Sequence, residues 1–183
     1  MNPSHPAPIT QPGAAYRDCF AQTVDYAARS AVYFGSRTAI VDVERGDGGR
    51  FDYVTLNHRA TRLAHHLAAQ GVVKGDRVGL LAQNGVEYID LLLACAKLGV
   101  IHSVVFSGFS SKGLMDRAAD CGSRAIITVD GFYRRGKPVP LKPNADEAAG
   151  GAPSVEKIIV YKRAGVDVSM KEGRDVWWHD LVK

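Results

Sequence analysis

Long apolar runs, paired cysteines and blocks of one charge are scarce in this chain, and each scarcity removes a class of function. The longest apolar run, residues 91–96, is far shorter than the roughly 20 residues a membrane-spanning helix needs. The opening MNPSHPAPITQPG lacks the basic start and apolar stretch of a secretory leader. No run of Lys and Arg exceeds two residues, and the net charge is only +4, so nucleic acid is not an expected partner. Cysteine appears three times, as Cys19, Cys95 and Cys121, with no CxxC spacing. An odd, scattered set reads as reduced thiols of a cytoplasmic protein, and Cys95 in LLLACAKLG reads as core packing.

Several catalytic signatures are missing too. No GxxxxGK[ST] occurs, because Gly136-Lys137 is followed by Pro138, and no GxGxxG follows a strand. A GxSxG elbow is absent, so Ser110 and Ser111 read as helix caps. The six histidines form no HxxxH pair, and adjacent His65 and His66 would point about 100° apart on a helix, so no metal site is expected. His102, inside an apolar strand, reads as a hydrogen-bonded core histidine.

What is present is an alternation of short apolar strands and helices. Residues 1–15, rich in Pro and small side chains, read as a tail, and 16–183 as one α/β unit. Helical spacing of Val24, Ala27, Ala28 and Ala31 predicts a helix over 18–34. Strands at 38–43 and 50–54 flank Gly46-Asp47-Gly48-Gly49 and predict a small hairpin near 38–54. Thr55 would cap a helix striped by Leu56, Ala60, Leu63, Ala64 and Leu67 and closed by Gly71. Further strands are expected at 77–82, 101–106, 124–129 and 155–162, with helices at 86–98 and 110–120 between them. The segment 142–153 reads as a surface loop with at most one helical turn, and RDVWWHDLVK as the start of a helix. Alternating strands and helices imply crossover connections, hence an α/β fold with a mainly parallel sheet flanked by helices.

One cationic cluster has a clear location. After the strand ending near 129 comes DGFYRRGK, expected to be a loop carrying Arg134, Arg135 and Lys137. Cations just past the carboxyl end of a buried parallel strand lie where open α/β sheets receive anionic ligands. Taken alone, such a cluster is also what a solvated surface patch looks like.

Two stretches change that balance. DYVTLNHRATRLAHHLAAQGVVKGDRVGLLAQNGVEYIDLLLACAKLG resembles the opening of adenylate-forming acyl-CoA synthetases. HSVVFSGFS, DRAADCGSRAIITVDG, RRGKPVPLK, VEKIIVYKR and EGRDVWWHDLV resemble acetyl- and propionyl-CoA synthetases. The resemblance implies a ligase in which a small carboxylate and ATP, with Mg²⁺, give an acyl-adenylate that coenzyme A then captures. It places Arg134, Arg135 and Lys137 at the phosphorylated adenosine end of coenzyme A, with Lys137 where the family usually has Arg. Gly108 matches a glycine beside the channel for the pantetheine arm. The family's Ser/Thr/Gly-rich ATP loop and catalytic Lys do not occur in these residues, which implies an N-terminal piece, inactive alone. A non-catalytic nucleotide- or coenzyme A-binding module, or a scaffold piece completed by a separate chain, is the alternative.

Overall fold

A computed structural model describes residues 25–82, 84–108 and 110–181. They form two compact units that divide between Asn57 and His58. The expected tail, the start of the expected helix over 18–34 and Cys19 lie outside the described residues.

In the first unit, helix α1 (Tyr26–Phe34) begins where the Asp25 carboxylate accepts the Ala28 N–H at 3.0 Å. A short acceptor satisfies there an amide that the helix itself cannot. Strands β1 (Thr38–Val41) and β2 (Arg50–Asp52) pair antiparallel, as the hairpin reading expects. Their connection is not a tight glycine turn. Residues Val43–Gly49 form a 3₁₀ segment kinked at Gly46, opened by Asp42, whose side chain accepts the Glu44 N–H at 3.2 Å. Such local side-chain bonding competes with direct strand pairing. Helix α2 (Tyr53–Ala69) is capped by Asp52, which accepts the Thr55 N–H at 2.6 Å. Thr55 is therefore the recipient of the cap and not the cap, since a carboxylate one turn earlier is the better acceptor.

The second unit continues with β3 (Arg77–Leu81), α3 (Val86–Leu98), β4 (Ile101–Val104), α4 (Ser111–Cys121) and β5 (Ala125–Val129). Strands β6 (Gly131–Arg134) and β7 (Lys137–Pro140) follow, then α5 (Lys142–Gly151), β8 (Lys157–Tyr161), β9 (Asp175–Trp177) and a single turn α6 (Trp178–Leu181). Five strands form one sheet in the order β4-β3-β5-β8-β9, and every pair in it is parallel. The expected α/β fold with a parallel sheet is what the chain adopts.

Continuous apolar strands make sense because both sheet faces are covered. Val78, Leu80, Ile127 and Ile159 face Leu63, Leu67, Leu91 and Cys95 of α2 and α3. Ile126, Ile158 and Val160 face Leu114, Ala118, Ala145 and Ala148 of α4 and α5. Each large side chain so buried contributes about 1.5–3 kcal/mol.

Three expectations need correction. Residues 142–151 are helical, not a loop. Pro143 sits in the first turn, and Ala145 and Ala148 are fully buried against the α4 face. Packing there overrides the weak helix propensity of Asn144, Gly150 and Gly151. The stretch after Arg174 first adds a strand, β9, to the sheet edge and only then turns helical. His102 is exposed rather than in the core, because β4 is an edge strand paired only with β3.

Candidate functional site

The chain runs from β3 to β4 on one side and then returns to β5 on the other side of β3. That reversal makes the carboxyl ends of β3 and β5 a topological switch point, where loops diverge and leave a crevice. A crevice of about 20 Å³ lies there, lined by Ala82, Gly85, Val129, Tyr161, Arg163 and Trp178. It has room for about one water. Tyr88 also reaches the crevice, and burial pushes its hydroxyl above the ordinary value.

Arg134, Arg135 and Lys137 stand on an ordered antiparallel hairpin, β6–β7, instead of the expected loop. Gly131 pairs with Pro140, Phe132 with Val139, Tyr133 with Pro138 and Arg134 with Lys137. The two-residue turn is Arg135-Gly136, with φ of 51° and 75°. This left-handed pair is what a tight hairpin demands, because its twist matches that of the strands. Among the described residues, Arg135 is the one non-glycine with positive φ. Pairing places Arg134 and Lys137 directly opposite one another, with Cβ atoms about 5 Å apart. All three cations are exposed, and among the described residues no carboxylate lies in ion-pair range of them.

The hairpin springs from β5 through Asp130, which is fully buried. The Asp130 Oδ1 accepts N–H bonds from Gly131 at 2.8 Å, Arg163 at 2.7 Å and Ala164 at 3.0 Å. Its Oδ2 accepts from the Val166 N–H at 3.0 Å. Its backbone carbonyl accepts the Leu141 N–H at 2.9 Å, where β7 ends. Sequence reasoning assigned Asp130 no role. The available signal is a carboxylate closing an otherwise apolar strand, since a buried charge must be fully hydrogen-bonded to be tolerated.

Gly108 lies in the turn after β4 and is exposed. A Cβ there would come within 2.4 Å of the Phe106 ring, a side chain that is itself 69% exposed. Gly108 and the hairpin thus share the carboxyl-end side of the sheet. One strand, β3, separates β4 from β5, which puts those two strands about 10 Å apart. The trio of cations is brought together; Gly108 stands apart from them on a neighbouring strand's loop.

The second unit is an open parallel sheet of the kind that receives ligands at the carboxyl ends of its strands. The AMP-binding enzyme family model matches residues 27–180, and the chain belongs to that family. It is 73% identical over 134 residues to an acetyl-coenzyme A synthetase of Methanothrix soehngenii. Against the protein of the same name from Methanothrix thermoacetophila it is 55% identical over 138 residues, and against that from Methylobacillus flagellatus 46% over 144. These alignments cover 73%, 75% and 78% of this chain, but only 20%, 21% and 22% of the relatives. The chain thus spans about a fifth of the length of the curated relatives it matches. Among the described residues no helix is long and apolar enough to cross a membrane.

Proposed function

We propose that residues 16–183 are part of the N-terminal subdomain of an acetyl-CoA synthetase-like ligase, and that they supply the surface that grips coenzyme A. The observation that carries this reading is the facing of Arg134 and Lys137 across the β6–β7 hairpin, with no carboxylate among the described residues in range to neutralise them. Like charges placed opposite each other disfavour a hairpin. An anion between them reverses that sign, and the phosphates at the adenosine end of coenzyme A are such anions. Arg134 offers a two-pronged donor to phosphate oxygens, Lys137 a point charge, and Arg135 adds a third cation at the turn. Gly108 would leave open the path for the pantetheine arm.

The residues present do not fit the other half of the reaction. Among the described residues no cluster of His, Cys, Asp or Glu is suited to a metal such as Mg²⁺. No glycine-rich phosphate loop precedes a helix. On this reading, acyl-adenylate formation from acetate and ATP is the work of residues other than these. The chain by itself is expected to release no pyrophosphate.

Titration calorimetry with coenzyme A tests the reading. Binding by the wild-type chain should weaken about two- to fivefold for each of Arg134→Ala and Lys137→Ala, the scale of a solvent-exposed charge contact. Equal heats for wild type and both variants would reduce the hairpin to a solvated patch. Pyrophosphate release with acetate and ATP above a heat-killed control would contradict the division of labour.

A further inference from the structure

The cationic hairpin is a two-stranded ribbon, and such a ribbon has little intrinsic stability in water. Something must fix its direction relative to the sheet if Arg134 and Lys137 are to meet a ligand in one geometry. The contacts at its root converge on a single side chain. Asp130 bonds the first amide of β6, at Gly131, and through its carbonyl the amide of Leu141 just past β7. It therefore joins both strands of the hairpin at their base. The same carboxylate accepts three amides, those of Arg163, Ala164 and Val166, from the loop that follows β8. The Asp130 N–H in turn donates to the Tyr161 carbonyl at 3.0 Å, at the end of β8.

Packing at the same place is as tight as the bonding. A Cβ added to Gly131 would lie 2.4 Å from Val166 Cγ2 and 2.7 Å from the Val139 carbonyl oxygen. The backbone of the hairpin root at Gly131 thus packs directly against the Val166 side chain of the 163–166 loop. Tyr133, midway along β6, adds a bond from its hydroxyl to the Ala164 carbonyl at 3.4 Å.

We propose that Asp130 is a positioning residue: it clamps the root of the β6–β7 hairpin to the 163–166 loop and so sets the direction in which Arg134 and Lys137 point. The proposal rests on the reading of that hairpin as a coenzyme A grip. Asp130 itself is fully buried, out of reach of a ligand on the hairpin. It acts through backbone amides, and four of those it holds lie on two separate segments. An amide side chain in its place would keep the shape but turn one acceptor into a donor facing an N–H. The clamp would then open on one side.

Hydrogen exchange on the intact chain, read together with coenzyme A titration, tests this. In the wild type the amides of Arg163, Ala164 and Val166 should be protected, although they lie in a loop; free exchange there overturns the clamp without any variant being made. In Asp130→Asn, the amides of 131–139 and 163–166 should exchange at least tenfold faster while those of β3 and α3 keep their rates. Coenzyme A affinity should fall five- to twentyfold with one site per chain retained. Gly131→Ala, which displaces the root by bulk, should give the same pattern with Asp130 intact. A purely structural role would accelerate exchange throughout the sheet and leave the affinity of the folded fraction unchanged. If wild type binds, Arg134→Ala weakens binding, and Asp130→Asn and Gly131→Ala bind like wild type, the proposal fails and the reading of the hairpin stands. If Arg134→Ala and Lys137→Ala bind like wild type, or wild type does not bind, the reading fails. The exchange pattern then still shows whether Asp130 clamps the hairpin.

Discussion

Lys142 and Asp175 meet in the interior at 2.6 Å, with side-chain exposures of 1% and 0%. Lys142 Nζ also donates to both oxygens of Asp146, at 2.7 and 2.8 Å, and to the Ser169 carbonyl. Arg174 joins the group through Asp175 and Asp146. The cluster ties the start of α5 to β9 and to the long connection that precedes it. A buried cation is tolerated there because three separate groups accept its protons.

Asp175 gives that cluster an acid limit. Burial pushes its carboxyl up, but hydrogen bonds from Arg174, Lys142 and the Lys171 N–H outweigh burial and hold it below the ordinary 3.8. A depressed carboxylate stabilises the fold fully above its unfolded value, and the contribution disappears as pH falls through the lower folded value. Urea unfolding at a series of pH values should therefore show stability dropping below about pH 4. Asp175→Asn should flatten that limb. Lys142→Met, which takes a cation from buried Asp175 and half-buried Asp146, should lower stability by about 3–5 kcal/mol at neutral pH. A loss below 1 kcal/mol would mean that Arg174 alone satisfies the site.

Cysteine chemistry should divide sharply by position. Cys95 is fully buried on α3, and burial pushes its thiol up to about 12. The thiolate is the reactive form, so at pH 8 Cys95 should resist alkylation for as long as the fold holds. Cys121, half-buried at the end of α4 with Ser123 Oγ at 3.1 Å from its sulfur, should label before Cys95. Peptide mapping after brief iodoacetamide treatment separates the two. Equal labelling rates would show that α3 opens readily.

Much of this arrangement was legible in the sequence, and the misses share one cause. The strands of the large sheet were visible because burial on both faces leaves unbroken apolar runs such as AII and IIV. Ser110 and Gly122 marked the limits of α4 by local cap chemistry, which short-range reasoning captures. Helix α5 was hidden because its composition is that of a loop, and only the α4 surface makes it helical. His102 misled because an apolar strand looks the same at the edge of a sheet as at its centre. The cations of the candidate site stood out, whereas Asp130 did not. Its role is spread over amides more than thirty residues away, and no local pattern records it.

Arg135 holds a backbone conformation that side chains with a Cβ disfavour by about 1 kcal/mol or more. Asparagine tolerates that region better and is common in turns of this type. Arg135→Asn should raise stability by about 0.5–1 kcal/mol in denaturant unfolding. If Arg135 also helps to hold phosphate, coenzyme A affinity should fall at the same time. A variant that gains stability and keeps full affinity would remove Arg135 from the site.

The pairing of Arg134 with Lys137 leads to a sharper test, because it predicts effects of opposite sign on folding and on binding. Two like charges opposite each other on a hairpin destabilise it by about 0.2–1 kcal/mol. Lys137→Ala should therefore leave the free chain slightly more stable while weakening coenzyme A. Lys137→Arg should keep the repulsion and tighten the ligand, since a guanidinium can present two parallel donors to a phosphate where an ammonium presents a point charge. Inorganic phosphate should raise the melting temperature of wild type more than that of Lys137→Ala, because an anion that binds only the folded state stabilises by mass action. Ionic strength matched with chloride serves as the reference, since screening alone would also relieve the repulsion. If phosphate and matched chloride shift wild type and Lys137→Ala alike, the two cations are neighbours by fold and not by function.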